Sequence, residues 1–326
     1  MNEPIAYWNG QLLPAAEVAL ALTDAGCTWG AMVVDRLRTF GQRLYRLDDH
    51  IARFQRSCYG AYIRQPLTDA RLAALAREVV EHNLRLLPAG EELSLVMLAT
   101  PGPGDGAGPP TLCLHTQPLD FARYRHLFQR GAVLVFCPVV ELSEVDDDRE
   151  YGIDPRVKHR SRLHWWAARE QLRDEGRADP TDLPLFCNPR DDFRFTETPT
   201  ANVLFVIDGI IYSPPRRRIL NGIALDTTQT LCQSLGLPFV ELTYDDLADD
   251  PDPVELSFPL FLDPQQRQSV QEVLLTCSSF GVCGVSSYRH HHERFAVPWP
   301  GPYLKQLLAA WSETVGVDLA EQFLRD

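Results

Sequence analysis

The feature that most constrains the fold is a series of short, apolar, strand-like segments that do not alternate regularly with helices. Such segments occupy 131–140, 202–207 and 273–277, among others, and glycine or proline turns separate them. A doubly wound parallel sheet requires regular β-α-β alternation, which this chain lacks. The sequence therefore predicts the α+β class, with mixed sheets and flanking helices.

The 326-residue length corresponds to about two domains of ordinary size. The first part contains a hairpin with an Asn9-Gly10 turn and two helices. Asp48 and Asp49 suit the N-cap of the first helix, and the second begins near Asp69. A boundary falls near 117–129, ahead of the strand at 131–140. We expect a smaller N-terminal α+β domain over 1–120 and a larger C-terminal domain over 121–326.

Composition and charge exclude several classes of partner. A net charge of −13 argues against binding nucleic acid or an anionic membrane. No apolar run reaches about 18 residues, so we expect no membrane span, and the composition of the first residues leads us to expect no signal peptide. The eight cysteines form no CxxC pair, which is typical of free thiols in the cytoplasm. We expect a cytoplasmic protein.

Lysine is almost absent from this chain. Of the 31 basic residues that are Lys or Arg, only Lys158 and Lys305 are lysine. A lysine can lose its proton and act as a nucleophile, whereas an arginine cannot. Lys158 is followed by a predicted helix to about residue 176, and Pro155 disfavours helix just before it. Lys158 is either a Schiff-base lysine or an ordinary surface lysine.

Other groups along the chain form a set with Lys158. They are Arg53 in an apolar helix stretch, the carboxylate of Glu197, the helix-opening turn Asn221-Gly222-Ile223-Ala224, and the hydroxyls of Ser278 and Ser279. A helix start binds anions through its N–H groups, and an arginine binds a phosphate through two hydrogen bonds. Pyridoxal phosphate requires a lysine for its aldehyde, a carboxylate for its ring nitrogen and a phosphate cup. The set therefore predicts pyridoxal phosphate as the cofactor.

The order and spacing of these motifs resemble a known family, the class IV aminotransferases or fold-type-IV pyridoxal-phosphate enzymes. This family includes branched-chain aminotransferases, D-amino acid aminotransferases and aminodeoxychorismate lyase. The matching motifs are Asn9-Gly10, the loop from Asp24 to Gly30, Asp35, His50-x-x-Arg53, Lys158, Glu197, Asn202, Gly222-Ile223 and Ser278-Ser279. The resemblance covers about residues 6–285.

The resemblance implies a two-domain fold similar to that of D-amino acid aminotransferase, with the cofactor in the larger domain. Lys158 would form the internal aldimine and then act as the base. Glu197 would pair with the pyridine nitrogen. The phosphate would be held by Arg53, the Gly222-Ile223-Ala224 turn, Ser278 and Ser279. A homodimer that acts on small amino acids and 2-oxo acids is expected.

Three positions depart from the family's patterns and leave the reaction open. Ala224 stands where the family often has threonine, Thr100 where D-amino acid enzymes have arginine, and Leu163 where branched-chain enzymes have tyrosine. Transamination is the leading hypothesis. The alternatives are the lyase reaction, which eliminates pyruvate from aminodeoxychorismate to give 4-aminobenzoate, and a retired enzyme that only binds ligand.

The run His290-His291-His292 is interpreted as a solvated loop, because adjacent histidines rarely point to one centre. No metal site is predicted. The acidic segment at 248–268 is left without a structural assignment.

Overall fold

We describe a computed structural model of the chain. It describes residues 2–104, 108–139, 153–189, 193–243, 254, 256–257, 260–261 and 263–325. The acidic run at 141–150, the centre of the glycine-proline loop at 105–107 and most of the acidic segment at 245–255 lie outside the described residues.

The chain divides into two compact units. The first comprises Met1–Asp120, Val157–Arg162 and Val315–Val317, and the second comprises Phe121–Arg156, Leu163–Thr314 and Asp318–Asp326. The segment that carries Lys158 belongs to the first unit. We retain 1–120 and 121–326 as proposed domains.

A six-stranded antiparallel sheet forms the centre of the first unit. Its strands are β1 (Ile5–Trp8), β2 (Gln11–Pro14), β3 (Val33–Phe40), β4 (Arg43–Leu44), β5 (Leu93–Thr100) and β6 (Thr111–Pro118). Their order in the sheet is β2-β1-β6-β5-β3-β4. Asn9 and Gly10 join β1 to β2 with positive φ angles of 45° and 99°. The predicted Asn-Gly hairpin is confirmed, since this turn type requires positive φ at both positions.

Three helices accompany this sheet: α1 (Ala25–Thr28), α2 (Leu47–Gly60) and α3 (Asp69–Leu84). Apolar residues of α2 and α3, such as Phe54 and Leu72, pack with Leu37 and Met97 of the sheet in one core. The prediction that Asp48 or Asp49 caps α2 is wrong. These carboxylates lie in the first turn, where they complement the positive end of the helix.

A nine-stranded mixed sheet forms the centre of the second unit. Its strands are β7 (Ala132–Pro138), β8 (Leu183–Asn188), β9 (Arg194–Phe195), β10 (Asn202–Ile207), β11 (Ile210–Ser213), β12 (Phe239–Glu241), β13 (Val270–Cys277), β14 (Gly281–His290) and β15 (Glu293–Ala296). The order is β12-β11-β10-β13-β14-β7-β8-β9, with β15 on β14. The pairs β11–β12, β14–β7 and β7–β8 are parallel, which confirms a mixed sheet.

Six helices of the second unit fall within the described residues. They are α4 (Phe121–Arg130), α5 (Leu163–Asp174), α6 (Ile223–Leu235), α7 (Pro264–Ser269), α8 (Pro302–Val315) and α9 (Leu319–Leu324). No helix was predicted at α4, α7 or α9, and α7 overlaps the end of the segment 248–268 that was left without an assignment. Aromatic side chains pack on one another within the core, where Phe136 contacts Phe195, Phe261 and Tyr288.

Candidate active site

Lys158 lies in an extended segment beside the start of β3. Val34 N donates a hydrogen bond of 2.9 Å to Lys158 O, and Arg160 N donates one of 2.8 Å to Met32 O. The predicted helix begins at Leu163, after the lysine, because residues 158–160 hydrogen-bond to the sheet instead. This pairing fixes the backbone from which the Lys158 side chain projects.

Helix α2 holds the same segment from another side. Ser57 Oγ accepts the Lys158 N–H at 3.1 Å, and a Cβ on Gly60 would lie only 2.8 Å from Val157 Cγ2. Ser57 and Gly60 continue a stripe that begins at His50 and Arg53, with spacings of three, four and three residues. Residues at these spacings share one helix face. This polar stripe was readable from the sequence, although only Arg53 was predicted to have a role.

Three charged or polar side chains form a buried cluster at the start of that stripe. Arg53 donates to Asp35 from Nε at 2.7 Å and from Nη2 at 2.8 Å, and His50 Nδ1 lies 2.7 Å from Asp35 Oδ1. Asp35, His50 and Arg53 are 0%, 1% and 3% exposed. Arg53 therefore uses two of its nitrogens on a carboxylate, in addition to the phosphate contact that the sequence predicts for it.

The pKa values of this cluster follow from burial and charge. Burial alone would raise the pKa of Asp35, but Arg53 and His50 outweigh it and hold that pKa well below its usual range. The pKa of His50 is lowered, first by burial and then by the charges of Arg53 and Lys158, against the opposing effect of Asp35. The carboxylate is thus ionised, and the imidazole is neutral near pH 7.

Glu197 of the second unit has both carboxylate oxygens held by N–H donors. Oε2 accepts from Asn202 Nδ2 at 3.1 Å, and Oε1 accepts from Leu220 N at 3.3 Å. Asn202 Nδ2 also donates to Leu220 O at 3.0 Å. Two donors favour the ionised form of a carboxylate. Asn202, which the sequence analysis gave no chemical role, orients Glu197.

The turn at Gly222 opens helix α6 without a side-chain cap, and Ile223 and Ala224 are buried in its first turn. A helix start presents N–H groups that have no partner within the helix, which suits an anion. A Cβ on Gly222 would lie 2.0 Å from Asn202 Oδ1. Only glycine at this position lets Asn202 keep its place beside Glu197.

The hydroxyls predicted at Ser278 and Ser279 lie in the turn between β13 and β14. Ser279 is buried and Ser278 is half-buried. Thr276 precedes them on β13 and pairs with Asn202 of β10. Thr276 Oγ1 is buried and has no hydrogen-bond partner among the residues that the structure describes. Sequence reasoning did not select Thr276, since one threonine within an apolar strand carries no signal.

Replacement of Gly222 by alanine is expected to reduce the free energy of unfolding by about 1–3 kcal/mol, because the new methyl group overlaps Asn202 Oδ1. Denaturant unfolding measures the change. In an Asn202→Ala background the same substitution should cost less, since the clashing oxygen is gone. An equal cost in both backgrounds would refute this account of Gly222.

The described part of the chain shows neither a candidate metal site nor a candidate membrane-spanning helix. No group of three or more His, Cys, Asp or Glu side chains there could hold a metal ion. None of the described helices combines the length and the apolar character that crossing a bilayer requires.

Comparison with solved structures first defines the class of fold. The chain aligns with a branched-chain aminotransferase from the thermophilic archaeon Thermoproteus uzoniensis, crystallised with norvaline, with a TM-score of 0.70 and 17% identity, over 96% of this chain and 95% of that one. A branched-chain amino acid aminotransferase from Escherichia coli gives a TM-score of 0.72 at 15% identity, over 98% and 96%. The α+β fold predicted from the sequence is thereby confirmed.

Sequence comparison then gives the family. The family description for class IV aminotransferases matches residues 32–288. A D-alanine aminotransferase of Bacillus licheniformis is 27% identical over 249 residues, which cover 74% of this chain and 80% of that protein. The chain belongs to the class IV aminotransferase family, as the order of its motifs predicted.

Proposed function

We propose that this protein is a pyridoxal-phosphate-dependent aminotransferase that moves an amino group from an amino acid to a 2-oxo acid. Lys158 would supply the reactive amine. The observation that carries the proposal is the fixed backbone of this lysine, whose N–H and C=O are both hydrogen-bonded, to Ser57 and to Val34. A catalytic amine needs this support from rigid elements to keep a productive geometry.

The side chains present fit the cofactor. Glu197, with both oxygens held by N–H donors, suits a protonated pyridine nitrogen. The uncapped start of α6 at Gly222 suits a phosphate, with the amides of Ile223 and Ala224 as donors. Thr276 Oγ1, which has no hydrogen-bond partner among the described residues and lies near the serines of the same hairpin, adds a further donor. Arg53, Ser278 and Ser279 complete the proposed phosphate contacts.

When bound, pyridoxal phosphate supplies an aldehyde for the substrate amine and a ring that withdraws electrons from the substrate α-carbon. Lys158 Nζ takes the proton from that α-carbon. Glu197 would accept a hydrogen bond from the pyridine nitrogen and would favour the protonated form of that nitrogen. Asp35 and His50 hold Arg53 in one orientation, and Ser57 holds the Lys158 main chain. We also propose the homodimer that the family resemblance implies and the cytoplasmic location that the cysteine pattern indicates.

A half-reaction with single amino donors tests the proposal. D-alanine and the branched-chain L-amino acids are the first donors to examine, because the curated relatives that match the chain are a D-alanine and a putative branched-chain aminotransferase. The loaded protein should convert one equivalent of donor to its 2-oxo acid without an acceptor and leave the cofactor in its amine form. Addition of a 2-oxo acid should then restore the aldehyde form.

The same preparation separates the alternatives. Release of pyruvate from aminodeoxychorismate, without any acceptor, would identify the lyase instead. Spectral changes of the cofactor with no product from any donor would indicate a protein that binds without turnover.

A further inference from the structure

One face of the six-stranded sheet carries basic side chains that the proposed mechanism does not use. Asp35 points to α2, so its neighbour Arg36 points to the opposite face of β3. Arg36 pairs with Val96 of β5, and Val96 pairs with His115 of β6. Residues in register on neighbouring strands share a face. Arg36 and His115 therefore lie in one row, about 10 Å apart at the backbone.

The Arg36 side chain extends across β5 towards β6. Its Nη2 donates a hydrogen bond of 2.7 Å to Oε1 of Gln117, which lies two residues beyond His115 on the same face. Arg36 Nε is buried and has no hydrogen-bond partner within the described part of the chain. The Arg36 guanidinium therefore lies near His115, and its Nε–H makes no hydrogen bond to a described residue.

Arg160, two residues beyond Lys158, lies on the same face, because its neighbour His159 pairs with Val33 of β3 in an antiparallel bridge and so takes the face of Val33 and Asp35. The Arg160 side chain is exposed, and its pKa is lowered by desolvation first and then by the charge of Arg36. The pKa of His115 is lowered by burial first, and then by the charges of Arg36 and Arg160. Each of these basic groups thus lies within range of another's charge. Among the described residues, no carboxylate pairs with any of the three.

We propose that Arg36, His115 and Arg160 form a binding site for a carboxylate of the amino-acid or 2-oxo-acid substrate. The site deepens the proposed aminotransferase function and rests on it. Two guanidinium groups present forked donors that match a carboxylate, and an anion between them relieves their mutual repulsion. The proposed phosphate contacts, which are Arg53, the Gly222-Ile223-Ala224 turn, Ser278 and Ser279, include none of these three residues.

Propionate tests the site without turnover, and propionamide is its uncharged counterpart of the same shape. In titration calorimetry with the cofactor-loaded protein, propionate should bind and propionamide should not. Arg36→Gln and Arg160→Gln should each raise the dissociation constant for propionate about 10- to 100-fold, the effect of losing one charged hydrogen bond. In steady-state kinetics the same variants should raise KM for the 2-oxo acid far more than they lower kcat.

Arg77→Gln is the matched control, because Arg77 is an exposed arginine of α3 in the same unit. It should leave propionate binding and KM unchanged. Thermal unfolding of each variant checks that the fold is retained. Unchanged propionate binding in both Arg36→Gln and Arg160→Gln would overturn the inference. It would also be overturned if inorganic sulfate bound this cluster as tightly as propionate without displacing the 2-oxo acid.

Calorimetry also separates this inference from the proposed function. Loss of propionate affinity in the variants would support the carboxylate site even if no donor were turned over. Conversely, suppose that the protein transfers amino groups and that the variants bind propionate as tightly as the wild type. The aminotransferase function would then stand, and the carboxylate site would be rejected.

Discussion

Lys158→Ala is expected to reduce amino-group transfer by about 10⁴-fold or more, because the proposed mechanism assigns both the nucleophilic amine and the base to Lys158. The measurement is the rate of the half-reaction with the best amino donor. The fold should persist, since Lys158 is held through its main chain, which alanine retains. The variant is therefore expected to unfold at the same denaturant concentration as the wild type.

Lys305→Ala is the natural control. Lys305 is the other lysine of the chain, and it lies exposed on α8. Its replacement should change the rate by no more than about twofold, as for an ordinary surface substitution. Comparable losses in the two variants, or full activity in Lys158→Ala, would contradict the assignment of the reactive amine.

Asp35→Asn is expected to lower the free energy of unfolding by about 3–5 kcal/mol, because it leaves the buried Arg53 charge without its partner. Both residues are almost fully inaccessible to solvent, and two hydrogen bonds join them. Denaturant unfolding of the protein measures the loss. The weaker hold on Arg53 should also weaken binding of pyridoxal phosphate, which a titration of the variant would measure.

Asp49→Asn provides the same chemical change at the surface. Asp49 pairs with Arg46 on the exposed side of α2, with both side chains partly in solvent. This replacement should cost about 0–1 kcal/mol. The double variant Asp35→Asn/Arg53→Gln should be more stable than Asp35→Asn alone, because it removes the unpaired charge. If Asp35→Asn cost no more than Asp49→Asn, the cluster would not have the energetic role described above.

The Asp35–Arg53 pair should also make the free energy of unfolding depend on pH. The folded-state pKa of Asp35 is depressed. The ionised carboxylate therefore stabilises the fold above its unfolded-state pKa of about 3.9, and this stabilisation is lost as the pH falls through the folded-state pKa. The difference in the free energy of unfolding between the wild type and Asp35→Asn should therefore become smaller below about pH 4. Burial lowers the pKa of His50, so protonation of His50 destabilises the folded state. The free energy of unfolding should therefore also decrease as the pH falls below about 6.5.

Local patterns predicted the elements that depend on local interactions. The Asn9-Gly10 hairpin, the strand Asn202–Ile207 and the helix that Gly222 opens all form where the sequence indicates. Their turn residues and apolar periodicity act over a few positions. The acidic start of α2 illustrates the limit, because Asp48 and Asp49 entered the first turn instead of the capping position.

Contacts between distant residues could not be predicted in this way. Lys158 pairs with Val34 across more than one hundred residues, and the helix begins only at Leu163, after this pairing. Asp35 was known only as a motif residue, and its bond to Arg53 depends on how β3 packs against α2. Arg36 and His115 share a face only through the register of three strands. Sequence spacing does not encode any of these neighbours.

The most direct test of the central claim is to locate the bond to the cofactor. The protein is loaded with pyridoxal phosphate, reduced with borohydride, digested and analysed by mass spectrometry. With only two lysines in the chain, the assignment has few possible outcomes. We predict the phosphopyridoxyl mass on the peptide that contains Lys158 and unmodified Lys305. Modification confined to Lys305 or the N-terminus, or none in a preparation that transfers amino groups, would contradict the account.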